Sequence, residues 1–230
     1  MNLLELLKNE FSSFGKYERI FFPIVILVIC IISFLTNDNK IALVSAVCGI
    51  GYTILAGKGK ISCYFIGIAG TVCYSYIAFK NGFYGNLALY SLYYLPMDII
   101  GISAWKKHLK KDTCEIKKVK LSVKERIIYL FSACLLSLIL TFILKITGGK
   151  SPLFDSISVV FSVFGMFFTV KRCIEQWYIW FFVNLISLIM WLNAYLEGSN
   201  CLATVLMWFV YWVLAVYFLY TWNKEINKKF

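Results

Sequence analysis

The sequence predicts an all-α integral membrane protein. Its 230 residues are 60% hydrophobic and 15% charged, and the mean hydropathy is +0.76. A soluble domain is usually about half apolar and a quarter charged. The chain also contains eight apolar segments close to the length of about 20 residues that a helix needs to cross a bilayer. Because most of the connections are short, consecutive helices are predicted to be antiparallel neighbours.

The predicted spans lie at residues 20–36, 41–57, 61–79, 83–105, 126–145, 153–170, 174–196 and 201–222. One long basic connection separates the fourth span from the fifth. The residues before the first span, 1–19, contain several charges and no apolar region that ends in a cleavage site, so they do not suit a signal peptide. They fit a short amphipathic helix at the cytoplasmic interface or a frayed end.

The basic residues test the number of spans. With the N-terminus inside, 19 of the 23 Lys and Arg residues fall on the inner side and 4 on the outer side. An excess of positive charge in cytoplasmic loops is typical of membrane proteins. The count therefore predicts eight spans in the inner (plasma) membrane with both termini in the cytoplasm. It also accounts for the net charge of +11 without a nucleic-acid partner, and the long loop is expected to lie near anionic lipid headgroups.

A weak internal repeat is present. A shift of 113 residues brings Lys58 onto Lys171, Ile61 onto Ile174 and Gly85 onto Gly198. The matched units are four helices apart, so they enter the membrane in the same direction. This predicts two parallel three-helix repeats, residues 37–105 and 146–223, connected by the basic loop 106–125 and a linking helix 126–145. The helix at 20–36 is an addition before the repeats, and 224–230 form a cytoplasmic tail.

Enzymatic and metal sites have little support in this sequence. The eight cysteines show no CxxC spacing, and the single histidine, His108, has no partner at metal-binding spacing. Phosphate-binding glycine motifs, GxSxG and catalytic carboxylate pairs are absent from the sequence. We therefore expect no enzymatic activity, no cofactor and no metal.

The segment EQWYIWFFVN, residues 175–184, opens the seventh span with unusual residues. At about 100° per residue, Trp177, Trp180 and Asn184 share one helix face, and Asn184 lies about 10 Å deeper than Trp177, near the middle of the bilayer. Interfacial tryptophans and a helix-linking amide are ordinary explanations of such residues. Together, however, two indoles and an amide suit a flat polar solute, particularly one with a cationic ring.

At these residues the chain resembles the PnuC-type vitamin transporters, a family best known for nicotinamide riboside. EQWYIWFFVN is similar to the Trp-x-x-Trp-x-x-x-Asn motif of that family, and YLPMDIIGISAW resembles its Pro- and Gly-containing span. The resemblance covers about residues 39–223. It implies a SWEET-like 3+1+3 fold with an extra N-terminal helix, and a substrate site at Trp177, Trp180 and Asn184, with Gln176 adjacent.

The resemblance also implies a mechanism and partners. Unphosphorylated nicotinamide riboside would enter by facilitated diffusion through alternating access, and a cytoplasmic riboside kinase would retain it by phosphorylation. The family precedent allows a homotrimer. Thiamine also carries a cationic ring, and members for other vitamins share the architecture, so the motif leaves the choice of vitamin open. A non-transport membrane scaffold that docks a partner through the basic loop is the alternative of a different class.

The fourth span carries a second set of candidate residues. A lone Asp98 in a span is expensive and needs a partner or a water-filled cavity. It can pair with a cationic substrate, serve a gate, or link helices near the inner interface. Pro96 is expected to kink the helix as a hinge. Further residues that could line the cavity or gate are Asn86, Tyr90 and Tyr94.

Overall fold

The computed structural model describes residues 14–35, 40–80, 87–110, 115–146, 152–198 and 202–227. These ranges form a bundle of long helices, as the sequence predicts. The helices are α1 (Glu18–Leu35), α2 (Lys40–Gly57), α3 (Ser62–Lys80), α4 (Leu95–Lys106), α5 (Val123–Ile146), α6 (Pro152–Val170), α7 (Glu175–Leu196) and α8 (Leu202–Asn227). A π-helical stretch, Leu89–Tyr94, leads directly into α4 and is called the π segment below.

Six of these helices are long and apolar enough to cross a membrane, namely α1, α2, α3, α5, α6 and α8. Large apolar side chains on the outer faces are exposed, as lipid-facing positions require. On α5, for example, Phe131 is 69% exposed and Phe142 is 66% exposed. The prediction of an all-α membrane protein is therefore confirmed. Residues 1–13 lie outside the described ranges, so the predicted amphipathic helix is not described.

The π segment explains how the fourth span accommodates Pro96. Proline has no N–H, and its ring clashes with the carbonyl group four residues earlier. Here the backbone widens before the proline, and the N–H of Leu95 donates to the carbonyl of Tyr90, five residues back. Pro96 itself is exposed on the outer face. The sequence predicts a kink at this point, and the structure places a π-helical stretch directly before the proline.

The turns α2–α3 and α6–α7 carry the same backbone hydrogen bonds at a separation of 113 residues. In the first, the N–H of Lys60 donates to Leu55 and that of Tyr64 to Ile61. In the second, the corresponding pairs are Cys173 to Phe168 and Trp177 to Ile174. Three more bonds of each turn correspond in the same way. The predicted repeat therefore describes the backbone of these turns, although few of its side chains are identical.

Both turns also place one residue in the left-handed region of φ. Gly59 has φ of 69° and Arg172, at the corresponding position, has φ of 63°. Glycine adopts this conformation freely, whereas an L side chain is disfavoured by about 1 to 2 kcal/mol. Arg172 is held there partly by its side chain, whose Nη1 donates to the carbonyl of Lys117 at 3.1 Å. The second turn thus holds an arginine in the left-handed conformation for which the first turn uses glycine.

Part of the basic loop, residues 115–121, runs across both turns and is called the crossing segment. The N–H of Ile116 donates to the carbonyl of Gly59 at 3.0 Å, and the N–H of Val119 donates to the carbonyl of Arg172 at 3.0 Å. The crossing segment is thus bonded to corresponding residues of both turns. It ties the two repeats together on the loop side of the bundle.

The packing of the helices follows the same correspondence between the two repeats. The helices α2, α3 and α4 pack as one group, and α6, α7 and α8 pack as another. Between the groups, α4 packs on α6 and α8 packs on α2, which are corresponding pairs. The remaining helices are peripheral, because α5 packs along α6 and α1 packs on α2 and α8. This arrangement is consistent with the predicted 3+1+3 order with one added helix.

Replacement of Gly59 by alanine is expected to destabilise the protein more than replacement of Gly198. Both glycines have positive φ, so either alanine adds about 1 kcal/mol of backbone strain. A Cβ at Gly59 would also lie 2.9 Å from the Ile116 side chain, whereas no atom of the described residues lies within 4 Å of one at Gly198. Thermal unfolding in detergent measures the difference. Equal melting temperatures for the two variants would contradict the tight contact with the crossing segment.

Candidate substrate site

The motif residues lie at the start of α7, which begins directly after the α6–α7 turn. Trp177 is 2% exposed and Asn184 is 6% exposed, and Trp180 is half-buried. By contrast, Tyr178 is 45% exposed and Phe182 is 53% exposed on the outer side of the helix. The three motif residues therefore share the face of α7 that points into the bundle.

The indole of Trp180 is positioned by α6. Its six-membered ring lies over Gly165, where a Cβ would come within 3.0 Å of two ring atoms. Its Nε1 donates to the hydroxyl of Thr169 at 3.4 Å, and that hydroxyl donates to the carbonyl of Gly165 at 2.9 Å. Glycine at position 165 and threonine at position 169 thus fix the ring while leaving part of it accessible.

Trp177 belongs to a different layer of the bundle. Its ring packs 5.1 Å from the ring of Phe218 and 5.7 Å from that of Trp222. In the first repeat, the corresponding residues Tyr64 and Trp105 pack in the same way, with ring centroids 4.9 Å apart. We call these five rings the aromatic layer. It lies between Trp180 and the crossing segment.

Two hydrogen bonds fasten the aromatic layer across the repeats. The indole N–H of Trp105 donates to the carbonyl of Thr169 at 3.0 Å, and that of Trp222 donates to the carbonyl of Gly57 at 2.6 Å. Each bond joins the last helix of one repeat to the first helix of the other. The layer therefore closes the bundle on the loop side in this structure.

Two buried polar atoms of the aromatic layer have no hydrogen-bond partner among the described residues. They are the Nε1 of Trp177 and the hydroxyl of Tyr64, which correspond under the shift of 113 residues. Leaving such a group unpaired in a dry interior costs about 1 to 3 kcal/mol. Trp177 therefore has a free donor that a polar ligand or a rearranged helix can use.

Gln176 has a local role in this structure. Its side chain is 1% exposed, and Nε2 donates to the carbonyl of Cys173 at 3.0 Å. The amide nitrogen thus completes the turn before α7. Gln176 lies one helical turn before Trp180, on the same inward side of α7.

Asp98 lies in the interior of the bundle, at 2% exposure. The hydroxyl of Thr71 on α3 donates to its Oδ2 at 3.4 Å. Asp98 can approach α3 closely because Gly67 has no side chain. A Cβ at Gly67 would lie 3.2 Å from Oδ1 of Asp98 and 2.7 Å from the ring of Tyr52. The carboxylate therefore links α3 and α4 and does not reach toward the interface.

A cluster of tyrosines lies on the same side of the bundle. Tyr90 stacks on Tyr74 with ring centroids 4.2 Å apart, and Tyr94 meets Tyr90 edge-on at 4.8 Å. The hydroxyl of Tyr93 donates to the carbonyl of Val163 on α6 at 2.7 Å. The predicted candidates Tyr90 and Tyr94 are thus brought together, whereas Pro96 faces outward and Asn86 lies outside the described residues.

Four inward-facing residues near the site were not predicted from the sequence. They are Tyr52, Thr71, Thr169 and Tyr211, each of which is defined by a partner on another helix. One signal was available, because the shift of 113 residues aligns Thr71 with Asn184 and Gly67 with Trp180. Thr71 and Gly67 of the first repeat therefore correspond to motif positions of the second.

An apolar groove of about 260 Å³ lies between α6 and α7. It is lined by Ile157, Phe161, Phe182, Val183 and Ile186. These side chains offer no hydrogen bond to a polar solute, and Phe182 is exposed on the outer face. The groove suits a lipid chain, so the polar interior near Trp180 and Asp98 is the better candidate for a solute.

The loop side is closed further by charged groups of the crossing segment. Lys118 has a 5% exposed side chain, which pairs with Glu225 at 2.6 Å and lies 4.8 Å from the ring centre of Trp222. Burial lowers the pKa of Lys118, and the charge of Glu225 opposes that shift. This lysine is engaged within the chain and is therefore not free to dock a separate protein.

A bundle of membrane-spanning helices with a polar, aromatic interior between two parallel repeats defines a solute transporter. The chain matches the family of nicotinamide mononucleotide transporters over residues 39–224. It therefore belongs to that family. The family assignment also supports the expectation that the protein is not an enzyme.

Individual relatives are similar along nearly the whole chain. The nicotinamide riboside transporter PnuC of Haemophilus influenzae is 29% identical, covering 99% of each chain. That of Neisseria mucosa is 26% identical, covering 99% of this chain and 89% of the relative. Among solved structures, the crystal structure of the vitamin B3 transporter PnuC matches with a TM-score of 0.85 and 26% identity over 99% of each chain.

Cys173 is expected to resist alkylation as long as the crossing segment is in place. The residue is 2% exposed, and burial, together with the charge of Glu175, raises the pKa of its thiol to about 12. The reactive thiolate is therefore scarce at every pH well below that value. In a variant with Cys173 as its sole cysteine, N-ethylmaleimide at pH 8 should label the protein only after unfolding in SDS.

Val119→Pro provides the matched comparison for this labelling. It removes the N–H that donates to Arg172, next to the thiol, and should open the crossing segment locally. Labelling of Cys173 is therefore expected to rise in that variant. Rapid labelling of the native parent would contradict the closed arrangement.

Proposed function

We propose that this protein takes up unphosphorylated nicotinamide riboside by facilitated diffusion through alternating access. The observation that carries the proposal is the inward face of α7, where Trp180 is fixed over Gly165 and Asn184 is buried one turn deeper. A half-buried indole can stack a flat ring, and a buried amide can pair with a carboxamide or hydroxyl group. The similarity of the chain to nicotinamide riboside transporters supports the same substrate.

The riboside suits this interior better than the mononucleotide after which the family is named. A phosphate group is usually bound by Arg, Lys or clustered backbone N–H groups. In the described parts of the chain, the Lys and Arg residues lie at helix ends and in connections, away from Trp180 and Asn184. A dianionic phosphate would therefore lack a counter-charge. Exclusion of the phosphorylated product also fits retention by a cytoplasmic riboside kinase.

Alternating access requires the loop side to open. In this structure it is closed by the aromatic layer, with Trp105 bonded to Thr169 and Trp222 bonded to Gly57. Rocking of one repeat against the other would break both bonds together, because each joins the two repeats. The π segment, which widens the helix before Pro96, is a suitable hinge for that motion.

The positive charges of the connections support a cytoplasmic position for the loop side. Both termini would then be cytoplasmic in the inner membrane. The homotrimer that the family precedent allows stays a prediction.

Calorimetric titration of the purified protein tests the substrate. The wild type is expected to bind nicotinamide riboside and not its mononucleotide. Trp180→Ala should weaken binding by about 5- to 150-fold, because base stacking on an aromatic ring contributes about 1 to 3 kcal/mol. Trp191→Ala, on the same helix but 40% exposed near its other end, is the matched control and should bind like wild type.

Other outcomes of the titration redirect the proposal. Binding of thiamine alone would keep the aromatic site and overturn the substrate. Tight binding of the mononucleotide would overturn the argument from missing counter-charge. Equal loss in the Trp180 and Trp191 variants would indicate general destabilisation, and the assignment of Trp180 to the site would then be wrong.

Uptake into liposomes tests the mechanism. With the membrane potential clamped by potassium and valinomycin, riboside should equilibrate at equal concentrations inside and outside, and an imposed pH gradient should not change that level. The clamp is needed because a cationic solute responds to voltage. Accumulation driven by the pH gradient, and abolished by a protonophore, would contradict facilitated diffusion. Liposomes without protein provide the baseline.

A further inference from the structure

Asp98 is a buried carboxylate with no cationic partner in the part of the chain that the structure describes. The ion pairs found there use Glu18, Glu115, Glu175 and Glu225, all of them near helix ends or in the basic loop. Among the described residues, Asp98 receives only the long hydrogen bond from Thr71, at 3.4 Å. A carboxylate removed from water without a counter-charge is costly, and in membrane spans such groups usually face a cavity or a substrate path.

The repeat places this carboxylate at the level of the transport motif. Thr71 corresponds to Asn184 and Gly67 corresponds to Trp180 under the shift that also relates the two turns. Asp98 contacts Thr71 by its hydrogen bond and lies against Gly67. It therefore stands at the same depth in the first repeat as the indole and the amide do in the second.

The surroundings of Asp98 suit a bound cation. The carboxylate and the ring of Tyr52 converge on Gly67, where an added Cβ would lie 3.2 Å from Oδ1 and 2.7 Å from the ring. The ring of Tyr64 packs edge-on against that of Tyr52, with centroids 6.2 Å apart. Tyrosine rings present a negative face to a cation. Across the bundle, the indole of Trp180 offers the same kind of face. A ring with a delocalised positive charge would be stabilised from both sides, whereas a neutral ring would be stabilised only by stacking.

We infer that Asp98 is the charge-selecting residue of the substrate site, where its carboxylate, held by Thr71, pairs with the positive ring of the solute. The protein would then prefer an N-linked pyridinium riboside to a neutral riboside of the same shape. This inference rests on the proposed function and deepens it, because it assigns the choice between cationic and neutral solutes to one side chain.

The test compares two ligands on the full-length protein by calorimetry. Nicotinamide riboside carries the charge, and benzamide riboside, in which carbon replaces the ring nitrogen, is its neutral and planar counterpart. The wild type should prefer the cation by more than about tenfold. Asp98→Asn should lower that preference by about tenfold, mainly through weaker binding of the cation, and leave benzamide riboside nearly unaffected. Some preference should remain from the indole.

Two further variants separate charge from structure. Asp155→Asn removes another carboxylate from the first turn of a spanning helix, α6, and should keep the wild-type preference. Thr71→Val removes the hydrogen bond but keeps the charge, so it should retain most of the preference. An equal loss of affinity for both ligands in Asp98→Asn would indicate that the carboxylate only links α3 and α4, and this result would overturn the inference.

The wild type alone also decides the matter if Asp98→Asn does not fold. Equal affinity of the wild type for the two ribosides would overturn charge selection while leaving riboside transport intact. Failure of the wild type to bind either riboside would overturn the proposed function, and the inference with it. A clear preference for the cation that Asp98→Asn reduces supports both.

Discussion

Thr169 on α6 is the link between the two repeats that also contacts the candidate site. Its carbonyl accepts the indole N–H of Trp105 from the first repeat, and its hydroxyl accepts the indole N–H of Trp180 from the second. The same hydroxyl donates to Gly165, over which the Trp180 ring lies. One residue thus fixes both the ring of the candidate site and the layer that closes the loop side. A movement of that layer that displaces Thr169 would therefore also displace the Trp180 ring.

Much of the fold follows from the length and spacing of apolar segments. Six of the eight predicted spans begin and end within three residues of a helix, because the thickness of the bilayer sets helix length. The π segment was not predicted, since Pro96 indicates a disturbed helix but not the way in which the backbone responds. The last helix continues to Asn227, beyond the predicted end at 222, because polar residues can extend a helix past the membrane.

The candidate site was predictable only in part. Periodicity alone placed Trp177, Trp180 and Asn184 on one inward face, which the burial of these residues supports. It did not distinguish the two tryptophans of α7, although the ring of Trp180 packs against α6 and the ring of Trp177 packs in the aromatic layer. That difference depends on residues such as Phe218 and Thr169, whose contacts join distant parts of the chain. Pairings of this kind leave no pattern in a single sequence, apart from the weak repeat.

The exchange of large and small residues between the repeats has a consequence for the geometry of recognition. Gly67 with Tyr52 in one half corresponds to Trp180 with Gly165 in the other, so each half presents a ring where the other presents bare backbone. A strictly duplicated protein would offer identical walls and would bind an asymmetric molecule equally well in two opposite poses. Here the walls differ in shape, polarity and charge. The interior is therefore asymmetric, and we expect a ligand with distinct ends to bind in only one orientation.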